Sequence, residues 1–210
     1  MTRVRIPAEA LMDKKVKEVE EFARGIFSEN NMEWFVKLHL EYVDALSMKL
    51  ARMKNADEDV VKLSVWLHDI NHRNDNVSEK HHIENSEFAA KFLAERKFGD
   101  KTIKDVIHCI LTHRCKDDYR PETLEAKILA SADAMSHIEN FSLLLFCAFI
   151  IRKNNIEEAY EWLSGKIDRD WNRKILVPEG REMIRGKYEE VTEVLKKMKS
   201  EMESPTDVNL

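Results

Sequence analysis

The stretch Val65-Trp66-Leu67-His68-Asp69-Ile70 ends an apolar run with an imidazole and a carboxylate side by side. Three more potential ligands interrupt other apolar segments. His39 lies upstream of the doublet, and His113 and Asp133 lie downstream of it. Ionisable groups are seldom buried unless they are paired or bind a metal. Several such groups in separate apolar segments therefore indicate one shared site.

The composition favours one all-α domain of ordinary size. The chain has 210 residues, a length that suits a single domain with a substantial core. Five Gly, four Pro and few alternating β-branched runs leave little material for hairpins. The net charge is −5, from 34 Lys plus Arg against 39 Asp plus Glu, which argues against a non-specific nucleic-acid binder.

The N-terminal residues, the longest apolar run and the cysteines together predict a cytoplasmic protein without a membrane span. Residues 1–7 contain no apolar signal core, and the longest apolar run, Phe141–Ile151, is shorter than the roughly 18 residues of a span. Three cysteines, Cys109, Cys115 and Cys147, lack zinc-site spacing. Cys109 and Cys147 lie in apolar runs and are expected to be reduced, buried thiols.

Apolar periodicity predicts helices along most of the chain. They are expected at about 7–28, 33–53, 57–69, 82–97, 103–113 and 122–151, with two or three more between 157 and 202. The polar segment 71–80 is predicted to be a loop, 117–121 a turn and 204–210 a flexible tail. Residues 1–203 are thus interpreted as one helical domain.

Four of these residues follow the order of a known family. His39, the doublet His68-Asp69 and Asp133, each in its own predicted helix, resemble the ligand order of the HD superfamily of metal-dependent phosphohydrolases. The resemblance covers about 33–140, and Ala130-Ser131-Ala132-Asp133-Ala134 is similar to the small-residue setting of the family's final aspartate. It implies an HD-type bundle with additional N- and C-terminal helices, the latter over 141–203.

The resemblance also implies a metal site and its chemistry. His39, His68, Asp69 and Asp133 would bind one divalent cation, and this donor set suits Mn, Mg, Fe, Co, Ni or Zn. Adjacent helical residues point about 100° apart, so His68 and Asp69 share an ion only at a helix end or distortion. Their position just before the polar 71–80 loop fits that requirement.

Two further histidines resemble auxiliary residues of some HD proteins. His82 begins the segment His82-Ile83-Glu84-Asn85-Ser86, and His113 ends Leu111-Thr112-His113. They could bind a second metal, orient the phosphate, donate a proton to the leaving group or only line the pocket. The favoured hypothesis is that both face the cavity and contact the ligands or the substrate. Asp69, His82 and His113 are therefore the predicted catalytic residues.

The chain departs from the cyclic-dinucleotide phosphodiesterase branch of that family. Its glycine-rich signature is absent after His113, and Asn71 replaces the glycine that usually follows the doublet. The resemblance therefore implies the four-residue mononuclear site. Basic residues that flank it are candidate phosphate contacts, namely Arg73, Lys80, Arg114, Lys116 and Arg120. His72 is interpreted as a loop residue, while His81, His108 and His137 carry no independent signal.

The primary hypothesis is a metal-dependent phosphohydrolase that acts on a small phosphorylated compound, with a nucleotide as the leading substrate class. A nucleotide-binding regulatory module that retains the metal without turnover is the alternative. A purely structural helical protein is the third reading, and it leaves the His-Asp set unexplained. Whether the chain forms a homodimer is left open.

Overall fold

The described part of the chain is all-α, as predicted. The computed structural model describes residues 8–72, 80–116 and 118–203, which contain no β-strand and one isolated bridge between Lys116 and Tyr119. The helices of this part are α1 Ala8–Glu29, α2 Glu33–Phe35, α3 Glu41–Lys54, α4 Glu58–Leu67, α5 His81–Glu95, α6 Asp100–Thr112, α7 Leu124–Glu139, α8 Phe141–Phe146, α9 Ile156–Arg169 and α10 Pro178–Glu203.

Three short turns in these ranges are π-helical. Val36–Leu40 joins α2 to α3, Cys147–Ile151 follows α8, and Asp170–Lys174 follows α9. In each of them a backbone N–H reaches back five residues, as Glu41 does to Val36. Such turns are rare and occur frequently at functional sites.

Helices α4 and α7 form the centre of the fold. The helices α1, α3, α6 and α7 pack around α4, and α3, α6 and α10 also contact α7. Trp66 on α4 and Ile128 on α7 are among the largest fully buried side chains. Ionisable groups on these two helices consequently enter the interior, and His68 and Asp133 are both buried.

Helix α4 ends at the His-Asp doublet. The Asp57 carboxylate accepts a hydrogen bond from the Val60 N–H at 3.1 Å and caps the start of the helix. The helix ends at Leu67, and the chain turns through His68 and Asp69. The doublet therefore lies at a helix end, as a shared ion requires.

The predicted single helix over 122–151 is wrong. The chain breaks at Asn140, whose φ of −115° and ψ of 64° are not helical, and α7 and Phe141–Ile151 are bent by 79°. The Asn140 amide donates to the Leu38 carbonyl at 2.7 Å, and the Ser142 hydroxyl donates to Asn140 Oδ1 at 2.6 Å. Because Asn satisfies backbone groups outside a helix, it ends α7 within an otherwise apolar sequence.

Within the described residues no single helix is long and apolar enough to cross a membrane; only the bent pair of Leu124–Glu139 and Phe141–Ile151 meets that test together. Some predictions fall outside the described part. They are the helix start at Pro7, the basic side chain of Arg73, most of the 71–80 loop, Asp117 in the 117–121 turn, and the 204–210 tail.

Candidate metal centre

The four predicted ligands come from three separate segments, and their side chains lie close together. His39 comes from the π turn Val36–Leu40, His68 and Asp69 follow α4, and Asp133 lies on α7. The His39 Nε2 atom lies 3.4 Å from His68 Nε2, 3.7 Å from Asp69 Oδ2 and 3.5 Å from Asp133 Oδ1. His68 Nε2 lies 3.5 Å from Asp69 Oδ2 and 4.0 Å from Asp133 Oδ1.

Hydrogen bonds on the far side of each ring fix the tautomers. His68 Nδ1 lies 2.7 Å from the Val65 carbonyl, so it carries the proton and donates. His39 Nδ1 lies 3.1 Å from Ser136 Oγ, whose hydroxyl donates to the Asp133 carbonyl at 2.7 Å, so the oxygen accepts from the ring. Both Nε2 atoms then present lone pairs to each other and to two carboxylates. That donor set fits a divalent cation.

The two oxygens of Asp69 face different groups of side chains. Oδ2 faces His39 and His68, whereas Oδ1 lies 3.6 Å from His81 Nε2. Oδ1 is buried and has no hydrogen-bond partner within the described residues. Asp69, His81 and His113 form a second group whose ligand atoms all lie within 4.8 Å of one another. His113 Nδ1 is 2.6 Å from the Ile110 carbonyl, which leaves its Nε2 lone pair available.

The prediction that His82 faces the cavity is wrong, and His81 takes that position. His81 and His113 line the cavity, whereas His82 packs edge-on against Tyr119 with ring centroids 5.3 Å apart. Both ring nitrogens of the buried His82 lack a hydrogen-bond partner among the described residues. Adjacent helical positions point about 100° apart, and here His81 is the one that is turned toward the cavity.

Asn85 holds the turn that carries the doublet. Its side-chain amide donates to the His68 carbonyl at 2.5 Å, and its Oδ1 accepts from the Asn71 N–H at 3.1 Å. Asn85 is fully buried, and it satisfies two backbone groups that the end of α4 leaves without helical partners.

We expect Asn85→Ala to destabilise the protein by about 2 kcal/mol or more, because two buried backbone groups lose their partners. Urea denaturation of the metal-free protein measures this change. Asn85→Asp keeps only the acceptor, so its free energy of unfolding should lie between those of wild type and Asn85→Ala. Asn172→Ala, which removes one exposed hydrogen bond to Asp168, is the matched control and should change stability by less than about 0.5 kcal/mol. An Asn85→Ala variant as stable as this control would contradict the role.

Three further residues at the site, His137, Asp170 and Lys174, were not predicted from the sequence. His137 Nε2 lies 3.7 Å from Asp133 Oδ1, and its Nδ1 lies 2.9 Å from Asp170 Oδ2. Lys174 Nζ donates to Asp133 Oδ2 at 2.5 Å. His137 follows Asp133 by four positions on one helix, a spacing that places both on one face and could have identified it. Lys174 is 41 residues downstream of Asp133, and nothing local marks it.

These groups line a cavity of about 370 Å³. Members of both groups of ligand atoms line it, and its other walls come from α2, α7, α8, α9 and the π turns. The charged residues that line it are the cations Arg114, Arg152, Lys166, Arg169 and Lys174 and the anions Asp69, Asp133 and Asp170. Of the flanking basic residues predicted to contact phosphate, Arg114 lines this cavity, whereas Lys80, Lys116 and Arg120 do not.

A family model described as HD domain matches residues 16–138, which is more than half of the chain. The chain belongs to the HD domain family. The resemblance to HD superfamily phosphohydrolases inferred from the order of His39, His68-Asp69 and Asp133 is thereby confirmed. All four residues lie within the matched part of this HD domain.

Comparisons with individual proteins agree with the family. Ribonuclease Y of Alkaliphilus metalliredigens is 38% identical over 98 residues, which span 47% of this chain and only 19% of that protein. Bacillus subtilis YpgQ in complex with ADP superposes with a TM-score of 0.69 at 17% identity, over 92% of this chain and 97% of YpgQ. An HD-superfamily hydrolase from Bacillus thuringiensis gives a TM-score of 0.66 at 12% identity, over 92% and 99%. These two structures show the fold, including helices beyond the matched HD segment.

Burial and neighbouring charges set the protonation of the HD site. Burial lowers the pKa of His39 well below 6.5 and that of His113 to about 3. Burial alone would raise the pKa of Asp133, but the Lys174 ammonium and the surrounding imidazoles hold it well below its usual range. At neutral pH His39 and His113 are therefore neutral and Asp133 is ionised, the forms that bind metal.

Acid should destabilise the metal-free HD domain between pH 6.5 and about 3. In this window an unfolded histidine takes up a proton, whereas folded His39 and His113 do not, so stability falls as pH falls. Each group contributes up to about 1.4 kcal/mol per pH unit. Denaturation of wild type at pH 7 and pH 5 measures the slope, which His113→Gln should reduce. His108→Gln, whose ring accepts from the Glu122 N–H instead, is the matched control; equal slopes in both variants would contradict the assignment.

Proposed function

We propose that this chain is a metal-dependent phosphohydrolase that acts on a nucleotide. The observation that supports this most directly is the convergence of four ligand atoms beside a cavity whose cations outnumber its anions. His39 and His68 contribute lone pairs there, and Asp69 and Asp133 contribute carboxylate oxygens, with separations of 3.4 to 4.0 Å.

In this proposal His39, His68, Asp69 and Asp133 hold one divalent cation. A cation held there would supply an acidified water and positive charge against the charge that develops on the phosphoryl group. Asp69 Oδ1 faces His81 and His113, so these three residues could hold a second ion that shares the Asp69 carboxylate. The structure therefore favours a wider ligand set than the mononuclear one that the sequence implies.

His113 is an acceptor in this mechanism. Its Nδ1–H donates to the Ile110 carbonyl, and burial lowers its pKa to about 3, so its Nε2 is unprotonated at neutral pH. It can bind an ion or accept a hydrogen bond from water, but it cannot supply the proton to a leaving group. Of the roles that the sequence left open for His113, the geometry favours a ligand or water-orienting one. His81 replaces His82 as its companion.

The cations of the cavity suit a phosphorylated substrate. Five basic side chains and three carboxylates line it, which leaves an excess of positive charge for an anionic ligand. Arg114 and Arg169 are two of these basic side chains. We propose that Arg114 and Arg169 contact the phosphate oxygens, to which guanidinium groups donate in pairs.

Two observations support a nucleotide as the substrate. The cavity volume of about 370 Å³ falls within the roughly 300–1,000 Å³ of small-molecule sites. YpgQ, a protein of the same fold, was crystallised in complex with ADP.

A substrate panel tests the proposal. Protein loaded separately with Mn²⁺, Mg²⁺, Fe²⁺, Co²⁺, Ni²⁺ or Zn²⁺ is offered nucleoside mono-, di- and triphosphates, a cyclic dinucleotide and a short RNA, and released phosphate and products are measured. We expect turnover of nucleoside phosphates with at least one ion. Binding of ADP without turnover of any compound would instead support the regulatory module. Cleavage of RNA alone would support an activity like that named for ribonuclease Y.

A further inference from the structure

Half of the residues that line the cavity come from beyond the matched HD segment. That segment ends at residue 138, whereas the outer wall is built from α8, α9 and the two π turns that follow them. The break at Asn140 turns these elements back over the site. None of these elements supplies one of the four predicted ligands, although Lys174 and Asp170 are paired with Asp133 and His137. The other side chains of this wall are therefore available to determine which substrate is bound.

Two half-buried tryptophans line the cavity, Trp162 on this outer wall and Trp34 within the HD segment. Trp34 on α2 packs against Phe146 with ring centroids 4.9 Å apart, and Trp162 lies on α9. Leu143, Leu144 and Ile151 fill the wall as apolar neighbours. A cavity wall that exposes indole rings is costly in water and favours a ligand with a flat apolar part.

Arg152 is held beside Trp162. Its guanidinium carbon lies 5.1 Å from the centroid of the Trp162 ring, and both side chains line the cavity. Arg and Trp together make the kind of surface on which nucleic-acid bases stack, because every base has a π face that tolerates either partner.

We propose that Trp162, with Arg152 beside it, is the nucleobase-binding surface of this protein, and that Trp34 completes the wall around the base. The inference rests on the proposed function in placing the phosphates at the metal end of the same cavity. Stacking contacts alone distinguish bases poorly, so we expect this surface to accept both purine and pyrimidine nucleotides.

The test compares ADP with inorganic pyrophosphate as probes, using metal-stripped protein so that neither is hydrolysed. In Trp162→Leu, the loss of ADP affinity should exceed the loss of pyrophosphate affinity by about 5- to 150-fold, the range for one stacked base. Trp162→Phe should recover most of the ADP affinity. Trp171→Leu is the matched control, because Trp171 belongs to the same part of the chain but stacks on Tyr188 at 3.9 Å and does not line the cavity.

The outcomes separate this inference from the proposed function. If ADP binds wild type and Trp171→Leu alike but Trp162→Leu weakly, the surface is supported even when no compound is turned over. If Trp162→Leu binds ADP as wild type does, or loses ADP and pyrophosphate equally, the inference is overturned. Circular dichroism of each variant shows whether the helical fold is kept, and a misfolded Trp162→Leu is replaced by Arg152→Leu, for which the same preferential loss of ADP is expected.

Discussion

In Asp69→Ala, the divalent cation should no longer bind and the turnover rate should fall by more than about 100-fold. Removal of a hydrogen-bond partner outside the ligand set of a metal site costs about 10- to 100-fold, and loss of a ligand should cost more. Asp69 has the largest effect because its two oxygens face both groups of ligand atoms. Metal content and single-turnover rate of the purified variant measure the two losses.

The fold of this variant should persist, because the apolar faces of α4 and α7 remain. Asp69→Asn separates charge from shape, since it keeps the size of the side chain and removes the negative charge. Asp13→Ala, at an exposed position on α1, is the matched control and should bind metal as wild type does. Full metal stoichiometry together with wild-type turnover in Asp69→Ala would refute the assignment of Asp69 as a ligand.

Lys174→Met should reduce the free energy of unfolding of the metal-free protein by about 3–5 kcal/mol. Lys174 and Asp133 are largely buried and hydrogen-bonded to each other, and removing one member of a buried pair leaves an uncompensated charge. A divalent cation should offset part of this loss, because it would neutralise Asp133 in place of the ammonium. Added Mn²⁺ should therefore raise the melting temperature of Lys174→Met more than that of wild type.

Two further variants serve as controls for this prediction. Lys187→Met removes a cation from an exposed pair with Glu190 on α10 and should have little effect. The double variant Lys174→Met with Asp133→Asn should recover stability in the metal-free state, since it removes both charges. Loss of the same size with and without Mn²⁺ would refute a shared electrostatic role for Lys174 and the cation.

The four central residues of the site could be predicted from the sequence for a physical reason. His39, His68, Asp69 and Asp133 interrupt apolar helical faces, and an ionisable group on a buried face is conspicuous in any sequence. The structure brings all four together, although their role as ligands stays a prediction. The polar residues beyond the doublet also predict that a helix ends close to it, although the predicted end at 69 lies two residues beyond the observed end at Leu67.

Other features depend on contacts that local patterns do not encode. The phase of α5 decides whether His81 or His82 faces inward, and the polar segment before it contains no periodicity from which to set that phase. Asn140 ends α7 because the Leu38 carbonyl, 102 residues away in sequence, accepts from its amide. Lys174 lies in a polar segment typical of a solvated surface, and only tertiary packing brings it to Asp133.

The π turn Val36–Leu40 affects how the chain tolerates changes in length. It lies between α2 and α3, holds one residue more than a regular α-helical turn, and carries His39. Deleting a single residue from it would let α2 and α3 continue as one α-helix. Loss of one codon there would turn His39 away from His68, Asp69 and Asp133 while the segment stays helical, so a deletion at this turn would damage the ligand cluster more than the fold.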